Sequence, residues 1–74
     1  MNSKDSAYAR LGEQIKQARK DAHLSQDDLA ALSETSRRPI YLLESGKGSI
    51  RVETLIQLLD ALALEIEIRP KQPL

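Results

Sequence analysis

The stretch Leu24-Ser25-Gln26-Asp27-Asp28-Leu29-Ala30, followed by Thr35-Ser36-Arg37-Arg38-Pro39-Ile40 and Leu43-Glu44-Ser45-Gly46-Lys47, decides the fold of this 74-residue chain. Ser25 reads as an N-cap, and Asp28 three residues on makes a variant of the capping box with Asp in place of the usual Glu. Asp27 and Asp28 also suit the positive end of a helix dipole. The spacing predicts a short helix over 26–33 that buries Leu29, Ala30 and Leu32. Ser36 opens a second helix that ends near Ser45, before Gly46. Pro39 is its third residue, where a missing N–H has no carbonyl to lose, so proline is tolerated.

Upstream, Ala7, Leu11, Ile15, Ala18 and Ala22 recur at spacings of three and four, one face of an amphipathic helix over 7–22. Downstream, Gly46-Lys47-Gly48-Ser49 is a turn. Val52, Leu55, Ile56, Leu59 and Leu62 then mark a helix over 51–63. From there the period changes to two: Leu64, Ile66 and Ile68 alternate with Glu65, Glu67 and Arg69. That is either a strand or a misread helix end. A lone strand is unstable, so as a strand it needs a twin from a second subunit. The chain divides into a flexible N-terminus (1–6), a helical domain (7–63), a dimerisation strand (64–69) and a tail (70–74). The fold class is all-α, four to five helices, with that strand paired across a dimer.

Seventy-four residues make one domain with a thin core, so help from oligomerisation is expected. The chain is 41% apolar and 30% charged, as in a folded domain rather than a disordered tail. With no cysteine there is no disulfide or thiolate zinc site, and His23 is the only histidine. No metal site and no cofactor are expected. The start of the chain lacks the basic and apolar regions of a signal peptide, and no apolar run is long enough to span a bilayer. A cytoplasmic protein is the expectation. The formal net charge is zero, which argues weakly against nucleic acid, but the charge is segregated. Arg10–Lys20 carries Arg10, Lys16, Arg19 and Lys20 against Glu13. Ser36–Arg51 carries Arg37, Arg38, Lys47 and Arg51 against Glu44. The acids fall between and after these blocks, so a neutral chain can present a basic face.

Two short helices about three residues apart are a helix-turn-helix unit, whose second helix enters the major groove. Ala30 stands where the two helices cross, which calls for a small side chain. Ile40 and Leu43 face the core, and Arg37, Arg38 and Tyr41 lie opposite. Arginine is shaped to bond guanine O6 and N7 together, or to clamp a phosphate. Tyr41 either joins the base contacts or shields the helix. Leu42 could touch a thymine methyl or an adjacent interface. Gln26 at a helix N-terminus can donate to a phosphate, as can Ser36 at the start of the following helix. Lys47, Ser49 and Arg51 reach the flanking backbone, adding affinity and salt dependence but no sequence information.

From Leu11 to Leu64 the chain resembles the XRE, or Cro/phage-repressor, helix-turn-helix superfamily. The matching residues are Arg19, Leu24-Ser25-Gln26, Leu29-Ala30, Ser36, Ile40 and Leu43-Glu44-Ser45-Gly46-Lys47. The resemblance implies an ion pair between Arg19 and Glu44, base contacts from Arg37, Arg38 and Tyr41, and phosphate contacts from Gln26 and Lys47. The short last helix and Leu64-Glu65-Ile66-Glu67-Ile68 are most similar to HipB-like antitoxins. That branch implies repression of the protein's own operon, a HipA-like kinase toxin as partner, and a homodimer joined through Leu64, Ile66 and Ile68.

The chain departs from the family pattern at four places. His23 and Glu34 stand where glycine is frequent and a positive φ is expected, at a cost of about 1 kcal/mol. Thr35 replaces a common core valine, and Pro39 is unusual in a recognition helix. His23 suits a helix C-terminus when protonated; a capping role is the simpler reading beside a pH switch. No nucleophile, acid pair or glycine-rich loop suggests an enzyme. Three functions remain: an antitoxin that binds an inverted-repeat operator, a stand-alone repressor, and a helix-turn-helix interaction module without DNA binding.

Overall fold

The computed structural model describes residues 7–71. Four helices form among them: α1 (Ala7–Asp21), α2 (Gln26–Ser33), α3 (Arg37–Ser45) and α4 (Val52–Ala61). Ser25 and Asp28 form the full capping box, each side chain bonding the other's backbone N–H at 2.9 Å. Pro39 leaves α3 unbroken. Helices α1 and α4 each stop short of the expected ends, α1 by one residue and α4 by two.

All four helices end in the same way. The residue after each cap turns left-handed: His23 (φ 60°), Glu34 (φ 57°), Gly46 (φ 71°) and Ala63 (φ 58°). The next N–H then reaches back to the last turn, from Leu24 to Arg19, Thr35 to Ala30, Lys47 to Leu42 and Leu64 to Leu59, at 2.8 to 3.1 Å. This is the Schellman arrangement, which satisfies carbonyls a helix end would otherwise orphan. The positive φ expected at His23 and Glu34 is present; the one at Ala63 had no signal in the sequence.

The core is Ile15, Leu29, Ala30, Ile40, Leu43, Leu55, Leu58 and Leu59. It is closed by α1 on α3, α2 on α3 and α2 on α4. Several expected core positions are not in it. Leu32 is 60% exposed, because α2 turns Leu29, Ala30 and Ser33 inward instead. Ala7 and Ala22 are exposed, and α1 buries Gly12, Ile15 and Arg19. Val52 and Ile56 are exposed, while Leu58 is fully buried. The inward stripe of α4 is therefore Leu55–Leu58–Leu59–Leu62, spaced i, i+3, i+4, i+7. Helix α4 is apolar on more than one side, so only its neighbours decide which side is covered.

Gly12 marks the closest approach of α1 to α3. A Cβ there would run into the Leu43 carbonyl. Ser33 is buried and its hydroxyl bonds the Leu29 carbonyl at 2.6 Å and the Thr35 hydroxyl at 2.8 Å. Thr35 thus closes a polar contact where a valine would close an apolar one. Residues 64–71 form no regular element within the single chain. Leu64, Ile66 and Ile68 are exposed, Ile68 by 92%.

Candidate nucleic-acid interface

Helix α3 is the most sharply sided of the four. Ile40 and Leu43 have no exposure, whereas Arg37, Arg38 and Tyr41 are exposed. A helix pinned to the core by one stripe projects the opposite stripe rigidly, which a groove-reading element requires. Leu42 is half-buried and lies against Gly48, whose Cβ would come within 3.2 Å of it. It covers the turn rather than pointing outward with Tyr41.

Ser36 is the N-cap of α3, yet among the described residues its side chain makes no capping bond. A capping hydroxyl bonds the N–H of the second or third helical residue, and Pro39 at the third removes one of these two donors. The Ser36 hydroxyl is left at the helix N-terminus, beside the positive end of the dipole.

Behind this surface a polar chain links three helices. Arg19 of α1 grips Glu44 of α3 with two prongs, Nε to Oε2 and Nη2 to Oε1, each 2.8 Å. Its Nη1 donates to the Leu24 carbonyl at 2.7 Å. Both residues are 8% exposed. Gln26 extends the chain: its amide nitrogen donates to Glu44 Oε1 at 3.2 Å and its carbonyl oxygen accepts from Arg37 Nε at 3.2 Å. Only one orientation of the amide serves both partners, since carboxylate only accepts and guanidinium only donates. Burial pushes the Glu44 carboxyl up, but the bonds from Arg19 and Gln26 and the charges of Arg19 and Lys16 outweigh it. Together they hold Glu44 below the ordinary carboxylate value. The bond to Glu44 holds Arg19 above its ordinary value, with burial opposing it.

The expected ion pair and the expected base-contact residues fall on opposite sides of α3. Arg19 and Glu44 lie behind the exposed surface; Arg37, Arg38, Tyr41 and Ser36 lie on it. Gln26 stands between, half-buried and already engaged on both sides, which leaves one amide N–H for an outside acceptor. Lys47, Ser49 and Arg51 follow α3 and are exposed, with Arg51 3.7 Å from Glu53. Two residues here were not among the expected contacts. Lys16 lines a small cleft with Gln26, Tyr41 and Glu44, and Asp27 stands 3.9 Å from Arg37.

A helix-turn-helix family model matches residues 15–68, well over half of the chain. In structure the chain is similar to the restriction-modification controller protein C.AhdI from Aeromonas hydrophila. The TM-score is 0.73 at 28% identity, covering 78% of this chain and 88% of that one. No curated protein matches the sequence. Among the described residues no helix is long and apolar enough to cross a membrane. The buried stripe of α3, the capped α2 before it and the family match over 15–68 lead to one conclusion: the chain belongs to the XRE-type helix-turn-helix family of DNA-binding regulators.

Proposed function

We propose that the protein is a cytoplasmic homodimeric repressor that reads an inverted-repeat operator with helix α3. The observation that carries this reading is the two-sidedness of α3, with Ile40 and Leu43 locked in the core and Arg37, Arg38 and Tyr41 turned out. In it Arg37, Arg38 and Tyr41 meet base edges. Gln26, Ser36, Lys47, Ser49 and Arg51 meet phosphates. Replacing Arg37 and Arg38 together with alanine tests it by mobility shift on a duplex selected from a random library. A loss of about 30-fold or more is expected from two base-reading side chains at about 1–3 kcal/mol each; unchanged binding overturns the reading and favours an interaction module.

The dimer rests on residues 64–69. Leu64, Ile66 and Ile68 alternate with charged residues, are exposed in the single chain, and lie in a segment with no regular structure of its own. Pairing that segment with its twin supplies the missing backbone partners. Half-sites would then lie one helical turn apart or a multiple of it.

The same alternation after a short last helix supports a HipB-like antitoxin that represses its own operon and binds a HipA-like kinase toxin. The likeness to a controller protein supports the alternative, a stand-alone regulator. A kinase-like reading frame beside this gene, whose product co-purifies with the chain, is expected for the antitoxin. A methyltransferase or endonuclease neighbour would favour the controller.

A further inference from the structure

Asp27 occupies an unexpected place for a DNA-binding surface. It is an acid in the first turn of α2, 74% exposed at its side chain, and its carboxylate lies 3.9 Å from Nη1 of Arg37. If Arg37 touches DNA, Asp27 stands within one side chain of the phosphates. Asp28 beside it is consumed by the capping box, whereas Asp27 makes no capping bond and meets only the helix dipole. On the other side of the same guanidinium, Nε donates to Gln26. With Nε taken and Asp27 beyond hydrogen-bond distance of Nη1, the end-on edge formed by Nη1 and Nη2 remains for an outside acceptor.

We propose that Asp27 is a specificity-determining residue that acts through Arg37, by setting what the arginine accepts as a partner. This rests on the DNA-binding reading of α3. A phosphate can also take the end-on edge with two oxygens, but it carries a full negative charge, so it competes with Asp27 for Arg37 and is repelled by that carboxylate. Guanine offers two uncharged acceptors side by side, O6 and N7, matched to the same edge. The pair Asp27–Arg37 therefore subtracts from binding that depends on phosphate alone and leaves the contact with neutral guanine nearly intact. An exposed pair contributes little to stability. Its effect is on which DNA the arginine settles, as a repulsive element aimed at the wrong target.

The test compares two duplexes: one selected from a random library by the wild-type protein, and a scrambled duplex of the same composition. Asp27→Asn is expected to tighten binding to the scrambled duplex about five- to tenfold, and to steepen its salt slope by about one phosphate's worth, 0.9. Binding to the selected duplex should change less than about twofold, so the specificity ratio falls. In an Arg37→Ala background the same substitution should leave the ratio unchanged, because the gate has nothing to act on. Equal changes on both duplexes, or a ratio that still moves without Arg37, would overturn the proposal while leaving DNA reading by α3 in place. If Arg37→Ala alone leaves the selected duplex fully bound, Arg37 does not read bases and the gate falls with it. Thermal melting of Asp27→Asn should fall by a few degrees at most, since the residue is exposed, makes no cap and loses only one first-turn charge at the helix dipole.

Discussion

Arg19 and Glu44, 25 residues apart in sequence, meet in a two-pronged ion pair at 2.8 Å that ties α1 to the recognition helix from behind. The pair is buried and fully hydrogen-bonded: Arg19 also serves the Leu24 carbonyl, and Glu44 also receives Gln26. A buried pair costs desolvation of both ions, so it is a poor source of net stability but a severe loss when halved. What it contributes here is geometry, since Glu44 is on the same helix as Arg37 and is joined to it through Gln26.

Arg19→Ala should therefore lower unfolding stability by about 3 kcal/mol or more, leaving Glu44 buried without its main partner. The double change Arg19→Met with Glu44→Leu should recover most of that loss, because no charge is then buried. Urea unfolding of the single and double variants checks both outcomes. A double variant as unstable as the single one would contradict the account.

Acid should unfold the protein through two carboxylates. Glu44 titrates below its ordinary 4.5, and Asp28 titrates below its ordinary 3.8 through the backbone and hydroxyl bonds of Ser25. A lowered folded-state value means the contribution is complete above the unfolded-state value and is lost as pH falls through the folded one. The melting temperature should stay level from neutral pH to about 5 and drop below that. Glu44→Gln should flatten the acid limb, measured by circular dichroism across the pH series.

Gly12→Ala should destabilise, although alanine is the better helix former by about 1 kcal/mol. Its Cβ would strike the Leu43 carbonyl, so α1 and α3 must separate. A loss on the order of 1–3 kcal/mol is expected, as for overpacking. Higher stability in thermal melts would mean the helices are not packed this closely.

Ala63→Gly should stabilise by several tenths to about 1 kcal/mol, since Ala63 holds φ 58° without a glycine's freedom. The gain is offset in part by the larger unfolded-state entropy of glycine. Sedimentation of the same variant reads the dimer separately. Ile66→Asp, by contrast, tests the proposed dimer: a shift to monomers with the helical content unchanged is expected, and an unaltered sedimentation coefficient would contradict pairing through residues 64–69.

The starts of α2 and α3 and the glycine stop at Gly46 were legible along the chain, because those signals are local: Ser25 and Asp28 are three residues apart, and Pro39 is three from Ser36. The ends of α1 and α4 fell one and two residues short of expectation, and the left-handed turn at Ala63 carried no sequence signal. Spacing at three and four also placed Leu29, Ala30, Ile40 and Leu43 inside and Arg37, Arg38 and Tyr41 outside, since a short helix packed on one side has little choice. Tertiary structure alone decided the rest. Leu32 and Leu58 are the same residue type on similar short helices, yet one is exposed and the other buried, depending on which helix crosses above. Gly12 matters only because a carbonyl from α3 arrives over it. Asp27 and Arg37 become neighbours only when the turn folds α3 back across the start of α2. Contacts between residues ten or more apart depend on how faces meet, and no periodicity along one helix encodes that meeting.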